Sequence, residues 1–167
     1  SMPVAETASI FAETIVKDAI TQSAEGDAKL AIIEKKLMES TQVIVDIYSR
    51  FLFESRFIEA RKEGDVSLDK TKELMLQAQK DAYGDGLDPE YLHPYMWLCK
   101  PHYYYAGSNF YNFPYSFGQL FALGLYAEYQ KDKAGFVNKY DDILRETGRN
   151  DITGVANFAG IDINQKA

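Results

Sequence analysis

The opening stretch PVAETASIFAET, residues 3 to 14, carries the first residues whose spacing suggests chemistry. Glu6, Ser9 and Glu13 are separated by three and four positions. A helix turns by roughly 100° per residue, which brings Ser9 and Glu13 within roughly 60° of Glu6 on one face. Val4, Ile10, Phe11 and Ile15 surround them. Two carboxylates and a hydroxyl in line read, as residues alone, as the solvated face of an amphipathic helix. A second set lies in residues 91 to 126, which hold the single tryptophan and more than half of the tyrosines and phenylalanines. Pro101, Gly107 and Pro114 keep this segment from forming one helix, so a loop presents its hydroxyls and His102. Such a loop suits a cleft in which hydrogen-bond donors meet a developing oxyanion, or an aromatic seam or contact patch. Cys99 follows Met96, Trp97 and Leu98, and that apolar setting predicts a buried, unreactive thiol. His93, before Pro94 at a turn, reads as structural.

Helices must position these residues. The first is expected over residues 4 to 24, ended by Glu25-Gly26-Asp27. A much longer one runs from about Ala28 to Arg61, with no proline or glycine inside it. Gly64 marks its stop, and Ser67 caps a third helix over Leu68 to about Ala82. A short helix fits Pro89 to Leu92 in a turn-rich passage. Tyr115 to about Lys133 and Gly135 to Thr147 follow, and Asp151 caps a last one ending at Gly160. Strand signal is weak and confined to residues 100 to 113. The class is all-α. In the long helix, VIVDIYSRFLFESRF places apolar side chains over more than half the circumference, which predicts cover from several sides.

The chain has 167 residues, enough for one domain, taken as residues 3–167 with Ser1-Met2 as an expression remnant. Its net charge of -7 excludes the basic stripe that nucleic acid requires. A single cysteine makes no internal disulfide and suits a reducing, cytoplasmic setting. No apolar run reaches membrane-spanning length. HExxH is absent, and neither histidine has a neighbour at metal-binding spacing.

Three segments together resemble the oligoendopeptidase F family of zinc metallopeptidases, relatives of thimet oligopeptidase. VAETASIFAE matches that family's E-x-x-S-x-x-x-E pattern at Glu6, Ser9 and Glu13. KPHYYYAGSNFYNFPYSFGQLFALGLY is similar to its loop of histidine and tyrosines with a following helix. LRETGRNDITGVANFAGIDI is like its carboxyl-terminal region. The resemblance implies the helical carboxyl-terminal part of a zincin-like catalytic domain with a tyrosine-rich active-site loop. It implies Glu6 as the third zinc ligand, Glu13 supporting a histidine ligand from behind, and His102, Tyr115 and then Tyr111 as oxyanion or backbone donors in the hydrolysis of short peptides. Glu6, Glu13, His102 and Tyr115 would then serve one concave region.

In that family the two histidine ligands and the general base come from an HExxH helix preceding the third ligand. The resemblance therefore implies that an amino-terminal portion of the same protein is missing from this sequence. The chain alone is then expected to be inactive, to hold no zinc at native affinity, and to self-associate through uncovered apolar surface. Two other readings stand beside it: a related zinc carboxypeptidase, and a non-enzymatic helical module that docks partners through the aromatic segment.

Overall fold

A computed structural model describes residues 2–105, 107 and 109–164, and among these every regular element is helical. A short 3-10 turn, Met2–Val4, leads into α1 (Thr7–Ser23), and α2 (Gly26–Thr41) follows. A π-helical turn, Gln42–Asp46, joins α2 to α3 (Ile47–Lys62). Then come α4 (Leu68–Tyr83), three 3-10 turns (Pro89–Tyr91, Met96–Cys99 and Pro101–Tyr104), α5 (Phe113–Lys131), α6 (Lys133–Thr147) and α7 (Ile152–Ala159). The weak strand signal at 100 to 113 resolves into a 3-10 turn and further turns among the described residues. Proline at its first position and local tyrosine hydrogen bonding suit that tighter helix better than a ladder.

Local chemistry sets the helix ends. The Ser67 hydroxyl accepts from the Lys70 amide at 3.2 Å, and Asp151 accepts from Gly154 at 2.8 Å. Asp132 accepts from Gly135 at 3.0 Å, so α6 starts two residues before the expected Gly135. Pro114 sits in the first turn of α5, where its missing N–H costs nothing, and α5 therefore also starts two residues early. Gly160 closes α7 at φ 82°, a conformation that β-carbon sterics deny most residues. Lys139 Nζ donates to the Ala159 carbonyl at 2.8 Å and satisfies that helix end.

The chain divides into two compact units, residues 1–35 with 114–167 and residues 36–113. In the first, Val4 and Phe11 pack with Phe121, Ala122 and Leu125 of α5, Phe136 and Ile143 of α6, and Val155, Ala156 and Ala159 of α7. The Phe11 ring lies 4.7 Å from Tyr140 and 5.6 Å from Phe136, and meets Tyr129 edge-on at 6.2 Å. Tyr126 Oη donates to Asp18 Oδ2 at 2.6 Å, tying α5 to α1.

In the second unit, Phe53 of α3 packs with Met75 and Ala78 of α4, with Met96, Trp97 and Tyr103 against them. Gln79, buried in α4, clamps the loop beyond. Its Nε2 donates to the His93 carbonyl at 2.9 Å while its Oε1 accepts from the His93 amide at 3.0 Å. Those bonds are to the His93 backbone; its imidazole Nδ1 accepts from the Tyr95 amide at 3.1 Å.

The long helix departs from expectation in one way: a π turn interrupts it at Gln42–Asp46, and the extra residue rotates the faces that follow. Part of its apolar run is left uncovered, in keeping with the uncovered apolar surface expected above. α3 turns Ile47 and Phe53 inward together with Ser49, Arg50 and Glu54, and leaves Tyr48 50% and Phe51 45% exposed. No helix among the described residues is long and apolar enough to cross a membrane.

Candidate functional site

Glu6 stands at the N-cap of α1, and its side chain makes no capping hydrogen bond. Its backbone is held instead. The Glu6 carbonyl accepts from the Ser9 hydroxyl at 3.0 Å and from the Ile10 amide at 3.1 Å. Against it lies Gly118 of α5, where a β-carbon would come within 3.1 Å of Glu6 Cβ and 3.3 Å of the Glu6 carbonyl carbon. This close approach of helix to helix needs glycine. Tyr115 lies three residues before Gly118, on the neighbouring turn of the same face. The first unit therefore brings Glu6 and the α5 turn bearing Tyr115 together across more than a hundred residues of sequence.

Glu13 is placed differently. Its carboxylate pairs with Lys17 Nζ at 2.7 Å and is more than half exposed, a solvated i,i+4 pair. Next to the start of α1, Val4, Thr7, Phe121, Leu125, Tyr140 and Ile143 line a cavity of about 320 Å³. That volume is at the low end for ligand pockets, and its lining suits an apolar group rather than a charged one.

The second unit holds His102 and Tyr111. Their rings stack at 4.9 Å with planes 10° apart. His102 Nδ1 is buried and has no hydrogen-bond partner. Beneath the loop, α3 presents a buried polar row that sequence reasoning missed. Asp46, Arg50 and Glu54 are all buried, one turn apart. The Arg50 guanidinium pairs with the Asp46 carboxylate. Tyr83 also bonds to Asp46, and burial together with that negative charge pushes its hydroxyl up to about 12. Tyr103 lies edge-on to Phe53 at 5.4 Å, and its hydroxyl donates to the Arg50 carbonyl at 3.5 Å. Burial drives the Tyr103 pKa well above the usual phenol range. Glu54 Oε1 accepts from the Phe110 amide at 2.9 Å. Burial raises the Glu54 pKa, against opposing pulls from that amide and from His102. The signal was present: polar residues every fourth position within an otherwise apolar run.

Cys99 is exposed, contrary to the burial expected from its neighbours. The 3-10 turn Met96–Cys99 spends its inward positions on Met96 and Trp97 and turns Leu98 and Cys99 outward. Trp97 Nε1 donates to the Pro94 carbonyl at 3.2 Å, which fixes that orientation.

A catalytic zinc takes three protein ligands. Among the described residues no group of three or more His, Cys, Asp or Glu side chains is arranged to hold a metal ion. Glu6 supplies one carboxylate of the kind such a centre takes. Comparison with protein-family models, curated proteins and solved structures finds no match to this chain.

Proposed function

We propose that this chain contributes part of a zinc-dependent metalloendopeptidase of the oligoendopeptidase F type, acting on short peptides. The observation that carries the reading is the meeting of Glu6 with the α5 turn of Tyr115, residues more than a hundred positions apart that the sequence resemblance singles out. Glu6 supports it further, because its backbone is pinned while its carboxylate caps nothing, leaving that group available as a hard oxygen ligand. The two histidine ligands and the general base of an HExxH helix would come from residues outside this sequence. Zinc in such a centre supplies Lewis-acid polarisation and an activated water. The part of this chain's own residues is to bind and orient. Tyr115, on the α5 face that meets Glu6, would bring a donor to an oxyanion, where charge-assisted hydrogen bonds strengthen as the charge develops, and His102 and Tyr111 are offered as further donors on the strength of the resemblance alone. The negative net charge and the apolar cavity fit peptides with apolar side chains rather than nucleic acid.

The test is to extend the chain upstream along its own reading frame, then measure bound zinc and cleavage of a fluorogenic peptide. The expected protein contains HExxH, binds one zinc per chain and cleaves internal bonds of carboxyl-amidated peptides, which a carboxypeptidase does not. Glu6→Gln in it lowers zinc content and activity together, whereas Tyr115→Phe lowers kcat with zinc retained. An upstream frame without HExxH, or full zinc in Glu6→Gln, overturns the proposal. A specific observation favours a second reading, a helical interaction module: Tyr91, Tyr104 and Tyr105 are 82%, 59% and 60% exposed. That reading expects no cleavage, and loss of partner binding when these tyrosines become serine.

A further inference from the structure

Phe110 is the one non-glycine residue among those described with a positive φ, 57°. A bulky aromatic residue adopts that conformation only where its surroundings hold it there. What holds it is Glu54. The carboxylate accepts from the Phe110 amide at 2.9 Å, and the Phe110 ring lies 5.4 Å from Phe51, one turn earlier on α3. The next residue is Tyr111, stacked on His102. The other strand of the loop is tied to the same helix through Tyr103, on Phe53 and the Arg50 carbonyl. α3 therefore grips the loop on both sides of the His102–Tyr111 pair.

The grip has an energetic oddity. Glu54 is only 9% exposed, and a hydrogen-bond acceptor at that position does not need a charge. No lysine or arginine bonds its carboxylate among the described contacts; Arg50, one turn away, is engaged by Asp46. Facing Glu54 are the Phe110 amide and His102 from the loop, with Arg50 and Asp46 on its own helix and Tyr103 above them. Burial disfavours the carboxylate and raises its pKa. A carboxyl whose folded pKa lies above its unfolded value stabilises the fold at pH below the unfolded value and loses that contribution as pH rises through the folded one. Ionised at neutral pH, Glu54 therefore contributes less to the fold than its protonated form does in acid.

We infer that Glu54 is a positioning residue, whose hydrogen bond to the strained Phe110 amide sets the register in which Tyr111 stacks on His102. Naming that pair catalytic rests on the peptidase reading; the positioning does not. A side chain kept for packing would stabilise the fold and the loop together. Glu54 adds to packing an acceptor for the Phe110 amide, and volume-matched substitutions separate the two.

The experiment compares Glu54→Gln and Glu54→Met in this chain, both close to glutamate in volume. Glutamine keeps an acceptor oxygen and removes the charge; methionine removes both. The readouts are the ring-current-shifted imidazole proton resonances of His102, assigned against His93 with His93→Asn, amide exchange at Phe110, and the thermal midpoint. We expect Glu54→Gln to keep the His102 shifts and Phe110 protection. Glu54→Met should move the His102 resonances toward free-imidazole positions and speed Phe110 exchange at least about tenfold, with the thermal midpoint showing that the variant is folded where these are read. Unmoved His102 shifts in Glu54→Met overturn the inference, as does a Glu54→Gln variant that behaves like Glu54→Met. Because nothing here reads peptide cleavage, a failed peptidase assay and a failed positioning test remain distinct results.

Discussion

Alanine at Gly118 and alanine at Gly124 give opposite results if the helix contacts described above are correct. Both glycines lie inside α5, where alanine is favoured over glycine by about 1 kcal/mol through backbone entropy. What the new methyl meets differs. At Gly118 it comes within 3.1 Å of Glu6 Cβ, 3.2 Å of Ile10 Cδ1 and 3.3 Å of the Glu6 carbonyl carbon. The isoleucine tip can rotate away. The Glu6 carbons cannot move unless the start of α1 moves with them, and overpacking of that kind costs about 1–3 kcal/mol. At Gly124 the methyl comes within 3.0 Å of Ile161 Cδ1, a side-chain terminus, and its next contacts are at an ordinary 3.8 Å.

Gly124→Ala should therefore be stabilised by up to about 1 kcal/mol, and Gly118→Ala destabilised by about 0–2 kcal/mol, leaving a gap of about 1–3 kcal/mol between them. Guanidinium unfolding followed by far-ultraviolet circular dichroism reads this as midpoints shifted in opposite directions at unchanged slope. Equal stabilisation of both variants would refute the close approach of Glu6 to α5, and with it the observation on which the functional proposal leans.

Asp46→Ala should destabilise the fold by about 3–5 kcal/mol in the same assay, because it leaves the buried Arg50 guanidinium uncompensated, and adding Arg50→Met should recover part of that loss. Phenolate absorbance should show Tyr83 and Tyr103 still protonated when exposed tyrosines have ionised near pH 10; their contribution to stability is fully present below that pH and lost as pH rises through about 12 for Tyr83. A single step near pH 10 for all 12 tyrosines of the folded chain would contradict their burial.

The all-helical class and most helix ends were legible in the sequence. Ser67, Asp151 and Gly160 act within three or four residues of themselves, through one hydrogen bond or one backbone angle, and such local terms survive whatever the rest of the chain does. α5 and α6 each start two residues before the expected position for equally local reasons, Pro114 in the first turn of one and the Asp132 cap of the other. The faces of the helices were a different matter. Around Tyr48 and Phe51, α3 buries Arg50 and Glu54 and exposes those rings, because the π turn rotates the helix, Asp46 pairs with Arg50 one turn away, and Tyr103 and Phe110 supply polar partners remote in sequence. Cys99 read as buried from its neighbours, but a 3-10 turn has room on its inner side for only some of them. Spacing alone placed Glu6, Ser9 and Glu13 on one helical face. That Glu6 would back onto Gly118 while Glu13 turned to Lys17 and water depended on which helix came to lie against α1, and that is decided by the packing of α5, α6 and α7 around Phe11 rather than by any residue near Glu6.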